Sequence, residues 1–353
     1  MQLVRHDLKP LIQLSKLRSA HPGLLMQRGL VSWETNNKVE KTNLIECISR
    51  VTPPDFYELA FDRWFALTQS ENFAHVGMKV DGRLFTGLAL GGSLETGVMT
   101  HHTYGTPLIA GSSIKGAARA YAESIHLSSE LIAILFGSDD ERDNVQESGA
   151  GAFVWHDAWW VPRNKEMKPF VKEVITVHEQ RYYSESIARA EGIDSPIPNL
   201  QIGIQGEFYF VFEGDPNWSR YVADLVAAML EEQGVGAKTT SGYGYFISEK
   251  RLDSYIQKKK DEIKVQAIVE KGDGDELIRF KLSSLDNQAL ADALTKDKNK
   301  LYKELSLERE SDEDMQLLAQ IVVELQAELI HEWKKATGNK QKAYKFLQKY
   351  LDL

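Results

Sequence analysis

The side chains best suited to chemistry lie in one stretch, residues 101–121, which reads HHTYGTPLIAGSSIKGAARAY. Lys115 and Arg119 are spaced i,i+4, which places both cations on one face of a helix. Ser112 and Ser113 precede the helical pattern, so either hydroxyl is a candidate cap for the first free backbone N–H groups. A helix N-terminus beside two cations suits a phosphate. The stretch is therefore predicted to bind an anion.

A second glycine-rich stretch, residues 234–246, offers similar chemistry. Its glycines let the backbone approach a ligand closely, Lys238 supplies a positive charge, and residues 239–241 supply hydroxyl groups. Neither this stretch nor residues 96–122 contains Asp or Glu, although the whole chain is acidic. A nucleotide-binding P-loop is excluded, because it needs glycine where Ala237 and Glu232 stand. The two stretches together predict an extended polyanion as the ligand.

Aromatic side chains in and between these stretches are available to stack on single-stranded bases. They are Tyr104, Tyr182, Tyr183 and Tyr243. Each stacked base contributes roughly 1 to 3 kcal/mol, so two or three stacks would matter as much as the cations. Cations, backbone donors and aromatic rings in combination are typical of RNA binding.

The elements that position these residues follow from the hydrophobic pattern. Strands are predicted over residues 73–80, from Leu84 onward, and over 107–110, 153–160 and 202–212. Asp81-Gly82 is a hairpin signal between the first two strands. Helices are predicted over 113–126 and from Asp215-Pro216, where an N-cap precedes a proline. The order is compatible with an α+β fold of two ferredoxin-like halves.

Three regions are predicted along the chain. Residues 1–70 form an N-terminal helical extension, residues 71–250 an RNA-binding core, and residues 251–353 a C-terminal helical segment. Within the core, residues 163–198 lack clear periodicity and are predicted to be a long irregular insertion. Insertions of this length are usually functional or mobile.

Composition narrows the function classes. The chain of 353 residues carries a net charge of −9, which argues against non-specific coating of nucleic acid but leaves room for a local basic groove. Its single cysteine, Cys47, excludes thiolate metal clusters and disulfides within the chain. No apolar run is long enough for a membrane span or a signal peptide, so a cytoplasmic location is predicted. No cofactor and no metal site are predicted.

Several motifs in the right order resemble those of the RAMP superfamily over roughly residues 73–248. The stretch 101–121 resembles the signature YGxPxIPGSSxKGxxR, with Ala110 where proline is usual, and residues 234–246 resemble the superfamily's C-terminal glycine-rich loop. Within the superfamily, the motif at His101–Tyr104, the FGS motif at Phe136–Ser138, and His178 with Tyr182-Tyr183 are most similar to the sixth subunit of the type III-B CRISPR (Cmr) effector complex.

The resemblance implies a RAMP core of two ferredoxin-like (RRM-like) halves in a non-catalytic subunit of antiviral defence. Such a subunit binds guide RNA (crRNA) near its 3′ end and caps a filament of sibling RAMP subunits. Its expected partners are crRNA, the sibling subunits and small helical subunits, with target RNA as a further candidate and no membrane. The predicted RNA-binding residues are His101, His102, Tyr104, Gly111, Ser112, Ser113, Lys115, Gly116, Arg119, His178, Arg181, Tyr182, Tyr183, Gly236, Lys238, Thr239, Thr240, Ser241, Gly242 and Tyr243.

Two alternatives stay open at the level of sequence. Some RAMP proteins are endoribonucleases, and His101, His102 and His178 are the only candidates for a general acid or base. A histidine near a glycine loop is more often a hydrogen-bonding or stacking residue. A structural subunit that contacts only proteins is the other alternative, since the chain is acidic and has large helical flanks.

Overall fold

A computed structural model describes residues 5, 20–32, 38–92, 94, 96–138, 149–164, 166–177, 197–305, 307 and 311–351. The chain divides into two compact units, Met1–Ile256 and Gln257–Leu353. The three-region organisation drawn from the sequence stays a prediction.

The first unit combines helices with short and long strands. Its strands are β1 (Phe73–Asp81), β2 (Leu108–Ile109), β3 (Gly137–Ser138), β4 (Gly149–Ala150), β5 (Val154–Trp155), β6 (Ala158–Trp160), β7 (Phe170–Val177), β8 (Ile197–Ile204), β9 (Glu207–Glu213) and β10 (Tyr245–Ile247). Its helices are α1 (Pro22–Arg28), α2 (Lys38–Ile48), α3 (Asp55–Leu67), α4 (Gly111–Ser124), α5 (Ser129–Phe136) and α6 (Pro216–Glu232). Helix α7 (Lys250–Lys271) contains the boundary between the units.

One antiparallel sheet forms the centre of the first unit. Its order is β10-β1-β9-β6-β2, and β5 also pairs with β9. β1 and β9 pair along seven positions, with Val76 opposite Phe210. The fold is therefore a mixture of helices and an antiparallel sheet, as predicted, and its division into two ferredoxin-like halves stays a prediction.

Helices cover both faces of the sheet. Alternate side chains of β9 point to opposite faces, so each set packs against a different helix. Phe208, Phe210 and Phe212 belong to a core that also contains Val226 and Met229 of α6. On the other face the Tyr209 ring lies 5.9 Å from the ring of Phe61 and 5.1 Å from that of Phe65, both on α3. The Asp215 side chain caps α6 by accepting from the Asn217 N–H at 2.8 Å, as predicted.

The predicted hairpin at Asp81-Gly82 is wrong. Gly82 does turn the chain at φ +76°, but β1 pairs with β9 and β10 rather than with the residues that follow the turn. The N–H and C=O of Leu84 both bond to Ile204 at 2.9 Å, so the chain crosses to the end of β8. A long-range pairing thus overrides the local turn signal.

Two other predicted segments need correction. Residues 153–160 form two short strands rather than one, with His156 and Asp157 between them. Within the predicted irregular insertion, Phe170–Val177 is a regular strand that pairs with Ile197–Ile204 over eight positions. Residues 178–196 lie outside the described residues.

The second unit is helical where the structure describes it. Its helices after α7 are α8 (Gly274–Ser283), α9 (Asn287–Thr295), α10 (Lys298–Glu304), α11 (Asp312–Leu325), α12 (Ala327–Lys335) and α13 (Asn339–Tyr350). They enclose a separate apolar core around Leu290, Leu318 and Trp333. The Trp333 indole donates to Asn287 Oδ1 at 2.6 Å, which satisfies its buried N–H. Among the described residues, no helix combines the length and apolar character needed to cross a bilayer.

Candidate nucleic-acid interface

A cleft of about 460 Å³ lies between the two glycine-rich stretches. Ser113 and Ala117 of α4 form part of one wall, and Gly236 and Ala237 form part of another. Residues 86–89, from the loop after β1, also line the cleft, and apolar side chains from other segments complete the lining. The fold therefore brings together two stretches that are far apart in the sequence.

The start of α4 differs from the prediction that a serine caps it. The helix begins at Gly111 with Ala110 as its N-cap, so Ser112 and Ser113 lie in the first turn, exposed. The Gly111 N–H donates instead to Asp157 Oδ1 at 2.7 Å. A Cβ at Gly111 would overlap the carbonyl oxygen of Trp155, so the close approach requires glycine. Because this carboxylate lies at the positive end of the helix, the first N–H is not open to a phosphate.

We expect Asp157→Ala to lower the free energy of unfolding of the first unit by about 1–2 kcal/mol, because the Gly111 N–H loses its acceptor. Asp157→Asn keeps an acceptor oxygen and should cost less. Urea unfolding of the full chain, followed by tryptophan fluorescence, measures both changes. Wild-type stability of the alanine variant would contradict the capping role.

The two cations of α4 have different surroundings. Arg119 is only 12% exposed at its side chain, and its Nε lies 3.0 Å from Glu123 Oε1. Its Nη1 donates to the carbonyl oxygen of Gly137 at 3.1 Å, which ties α4 to the end of α5. Lys115 is half-buried and forms no ion pair with any residue that the structure describes. Of the predicted pair, Lys115 is the cation available to a ligand, while Arg119 already holds protein groups.

The second glycine-rich stretch folds into a tight loop. The Val235 N–H donates to the Gly244 carbonyl at 2.9 Å, and the Tyr243 N–H donates to that of Lys238 at 3.3 Å. Lys238 has a left-handed backbone with φ +63°, and Thr239–Ser241 form a single 3₁₀ turn bounded by Gly242. The side chains of Lys238, Thr240 and Ser241 are exposed, as the binding hypothesis requires. The Tyr243 ring lies 4.8 Å from the Phe85 ring.

His101 and Tyr104 lie in an aromatic cluster rather than in the cleft. The His101 ring is 4.5 Å from the Tyr104 ring and 4.9 Å from the Trp159 ring. Its Nδ1 accepts from the Thr103 N–H at 3.2 Å. Burial lowers the pKa of the His101 imidazole, which favours its neutral form. His102 is exposed, and its carbonyl accepts from His21 Nε2 at 2.8 Å.

Some predicted site residues cannot be located relative to the cleft. His178, Arg181, Tyr182 and Tyr183 lie outside the described residues. Gly116 is exposed on α4, and a Cβ there would meet no atom within 4 Å. The described residues contain no group of three His, Cys, Asp or Glu side chains that could hold a metal ion.

Sequence reasoning missed two contributions to the site. Asp157 was not expected at the start of α4, because nothing local shows that two distant segments meet. Residues 86–89 and Met99 line the cleft, although none of them was among the predicted site residues. The repeated glycines of this loop, from Gly87 to Gly97, are the one signal that could have suggested close packing.

Comparison with known proteins finds one family model that matches the middle of the chain. The family model of the RAMP superfamily matches residues 78–247, which include both glycine-rich stretches. The resemblance noted in the sequence is thereby confirmed over the part of the chain that forms the cleft.

Two solved structures are similar to the chain. One is a chain of the cryo-EM structure of the type III-B Cmr-beta bound to cognate target RNA, at 22% identity and a TM-score of 0.47, covering 69% of this chain and 86% of that chain. The other is the crystal structure of Cmr6 from Pyrococcus furiosus, at 20% identity and a TM-score of 0.31, covering 50% of this chain and 98% of that chain. None of the curated proteins compared with the chain matches it. The similarity to the RAMP superfamily therefore rests on the family model, over residues 78–247.

Proposed function

We propose that the protein is a non-catalytic, guide-RNA-binding subunit of a type III-B CRISPR effector complex. In this role it caps the subunit filament near the crRNA 3′ end and serves antiviral defence. One observation carries the proposal: the two glycine-rich stretches of the RAMP segment meet at a single cleft, through Ser113 and Ala117 on one side and Gly236 and Ala237 on the other. A strand of RNA crossing the cleft would contact both stretches.

The polar groups around the cleft support an RNA ligand. Lys115 and the exposed Lys238 supply positive charge, and the exposed hydroxyls of Ser112, Thr240 and Ser241 are hydrogen-bond donors for phosphate oxygens. No acidic side chain lines the cleft in the described part of the chain. The site is thus locally favourable to a polyanion, although the chain has a net charge of −9.

The non-catalytic part of the proposal rests on the environment of His101. A general acid or base needs a ring nitrogen that can reach the substrate. Nδ1 of His101 already accepts the Thr103 N–H, and Tyr104 and Trp159 pack against the ring. These contacts favour a structural or stacking role for His101 over nuclease chemistry.

The finer assignments belong to the same proposal. They are the two ferredoxin-like halves of the core, the contacts with sibling RAMP subunits and small helical subunits, and binding near the 3′ end of the guide. All residues that line the cleft belong to the first unit, so we assign protein contacts to the helical second unit.

RNA binding is tested by combining Lys115→Ala with Lys238→Ala in the full chain. Each phosphate contact that is lost should reduce the slope of log K against log [salt] by about 0.7 for a single strand, so the double variant should lose about 1.4. We expect roughly ten-fold weaker binding at moderate salt. Fluorescence anisotropy of a labelled single-stranded RNA, measured over a salt series, gives both quantities.

The matched control removes two exposed cations elsewhere, Lys342→Ala with Lys345→Ala on α13. It has the same net charge as the test variant and should keep the wild-type affinity and slope. Unchanged binding by the Lys115 and Lys238 variant would contradict the proposed interface.

Incubation of the same RNA with and without divalent metal tests the enzyme alternative, and cleavage that His101→Ala abolishes would overturn the non-catalytic assignment.

A further inference from the structure

The lining of the cleft is suited to an uncharged, flat group. Its volume of about 460 Å³ lies in the range of small-molecule sites, roughly 300–1,000 Å³. The side chains of Leu88, Met99, Ile109 and Val235 give it apolar walls, and none of its described lining residues is charged. A phosphate in the cleft would lose hydration without a counter-charge, which is costly. An apolar surface with polar edges, such as a nucleobase, avoids this cost.

Small residues keep the cleft open. Ala110, Ala117 and Gly236 line it, and any larger side chain there would occupy part of the space. Glycine is required at 236, since its φ is +95° and a Cβ would overlap the Phe85 carbonyl oxygen. The exposed hydroxyl of Ser113 forms no hydrogen bond with any described residue, so it is available to the polar edge of a base.

The cations lie outside the cleft. Helix geometry of about 100° per residue puts Lys115 about 160° around the α4 axis from Ser113. Lys238 is next to the lining residue Ala237, and its side chain is exposed. Groups that attract phosphates and groups that line the cleft therefore face different directions. A strand that contacts Lys238 while it enters the cleft would therefore keep its phosphates at the rim and turn a base inward.

We propose that the cleft between α4 and the loop 234–246 receives one unstacked nucleobase of the bound RNA. This inference rests on the proposed function and adds a base-binding subsite to it. The apolar walls contact the faces of the base, and the Ser113 hydroxyl meets its edge. Such a subsite fixes the register of the strand on the subunit without reading the phosphates.

Ala117→Phe tests the subsite, because it fills the cleft from α4 and changes no charge. The probe is a short oligoadenylate with one central 2-aminopurine, whose emission is quenched by stacking on the neighbouring adenines and rises when it leaves the base stack. We expect this variant to bind about ten-fold more weakly than wild type, with an unchanged salt slope and without the rise in emission. Ala120 lies on the same helix, is exposed and does not line the cleft. Ala120→Phe should therefore bind RNA as wild type does.

A second variant and a second RNA keep the test independent of folding. Ala237→Leu fills the cleft from the opposite wall, and circular dichroism shows whether each variant is folded. Replacing the 2-aminopurine by an abasic site should weaken binding to the wild-type protein to a similar extent, and this measurement needs no variant.

The outcomes separate the subsite from the proposed function. If the wild type binds with salt-dependent affinity, but filling the cleft and removing the base change neither affinity nor emission, the subsite is wrong and RNA binding stands. If the wild type shows no salt-dependent RNA binding, the proposed function fails and the subsite with it.

Discussion

Gly244→Ala should unfold the loop 234–246 and lower the free energy of unfolding of the first unit by about 3 kcal/mol or more. Gly244 has φ +78°, a left-handed conformation that costs a residue with a Cβ roughly 1–2 kcal/mol. A Cβ would also overlap the carbonyl oxygen of Val235. Relief of that overlap would break the bond of the Val235 N–H to the Gly244 carbonyl and that of the Gly244 N–H to Arg83. Losses of this size arise from such backbone strain.

The same loop supplies a matched control. Gly242 has φ +83°, but a Cβ there would meet no atom within 4 Å. Gly242→Ala should therefore cost only the conformational strain, about 1 kcal/mol. Urea unfolding of both full-length variants, followed by tryptophan fluorescence, gives the comparison. Equal losses would contradict the close packing of Gly244 on Val235.

The glycine substitutions also bear on RNA binding. The Tyr243 N–H is bonded to the Lys238 carbonyl, so the loop holds the exposed lysine and its neighbouring hydroxyls in place. We expect RNA affinity to fall with Gly244→Ala under conditions in which the variant is still folded, and to stay near wild type with Gly242→Ala. Rigid positioning of the donors, rather than their presence alone, would then explain why the stretch is rich in glycine.

Elements that depend on local signals could be predicted from the sequence. The helix that starts at Asp215-Pro216, the buried strand at Leu108–Ile109 and the helix that follows it all carry their signals within a few residues. The two acid-free glycine stretches line the same cleft, and their role in binding an anion stays a prediction.

Features that depend on distant segments could not be predicted. Asp157 caps α4 from the segment between β5 and β6, 46 residues along the chain from Gly111, and the bonds of Leu84 with Ile204 override a strong local hairpin signal. The sequence indicated that Arg119 is available to a ligand, but in the structure it donates to the Gly137 carbonyl. In each case the outcome depends on a long-range contact, and a single sequence does not record that contact.

A buried carboxyl group at the end of β9 should make the stability of the first unit depend on pH. The Glu207 side chain is only 1% exposed, and Arg163 Nη2 lies 2.9 Å from its Oε1. Glu249 lies beside them, 3.2 Å from Lys79 Nζ and 3.4 Å from Arg163 Nη1. Burial, together with a hydrogen bond to Glu249, raises the pKa of Glu207 from about 4.5 to about 7. The same hydrogen bond lowers the pKa of Glu249.

The raised pKa fixes the direction of the effect. Between pH 4.5 and 7 the folded protein holds a proton on Glu207 that the unfolded chain releases, so the free energy of unfolding falls as pH rises through this window. The loss attributable to Glu207 is on the order of 1–3 kcal/mol. Glu249 acts in the opposite direction at lower pH. Because its pKa is lowered, its contribution to the free energy of unfolding is lost as the pH falls.

Glu207→Gln should remove this pH dependence, because glutamine resembles the protonated carboxyl group and does not titrate. Urea unfolding of wild type and variant at pH 5, 6, 7 and 8 gives two curves, and their difference isolates the contribution of Glu207 from that of the other ionisable groups. We expect the free energy of unfolding of the variant, relative to that of wild type, to increase by about 1–3 kcal/mol from pH 5 to pH 8. Asp224→Asn, at an exposed position of α6, is the control and should leave the curve parallel to that of wild type. Parallel curves for Glu207→Gln would mean that Glu207 is already ionised at pH 5, held so by Arg163 and Lys79.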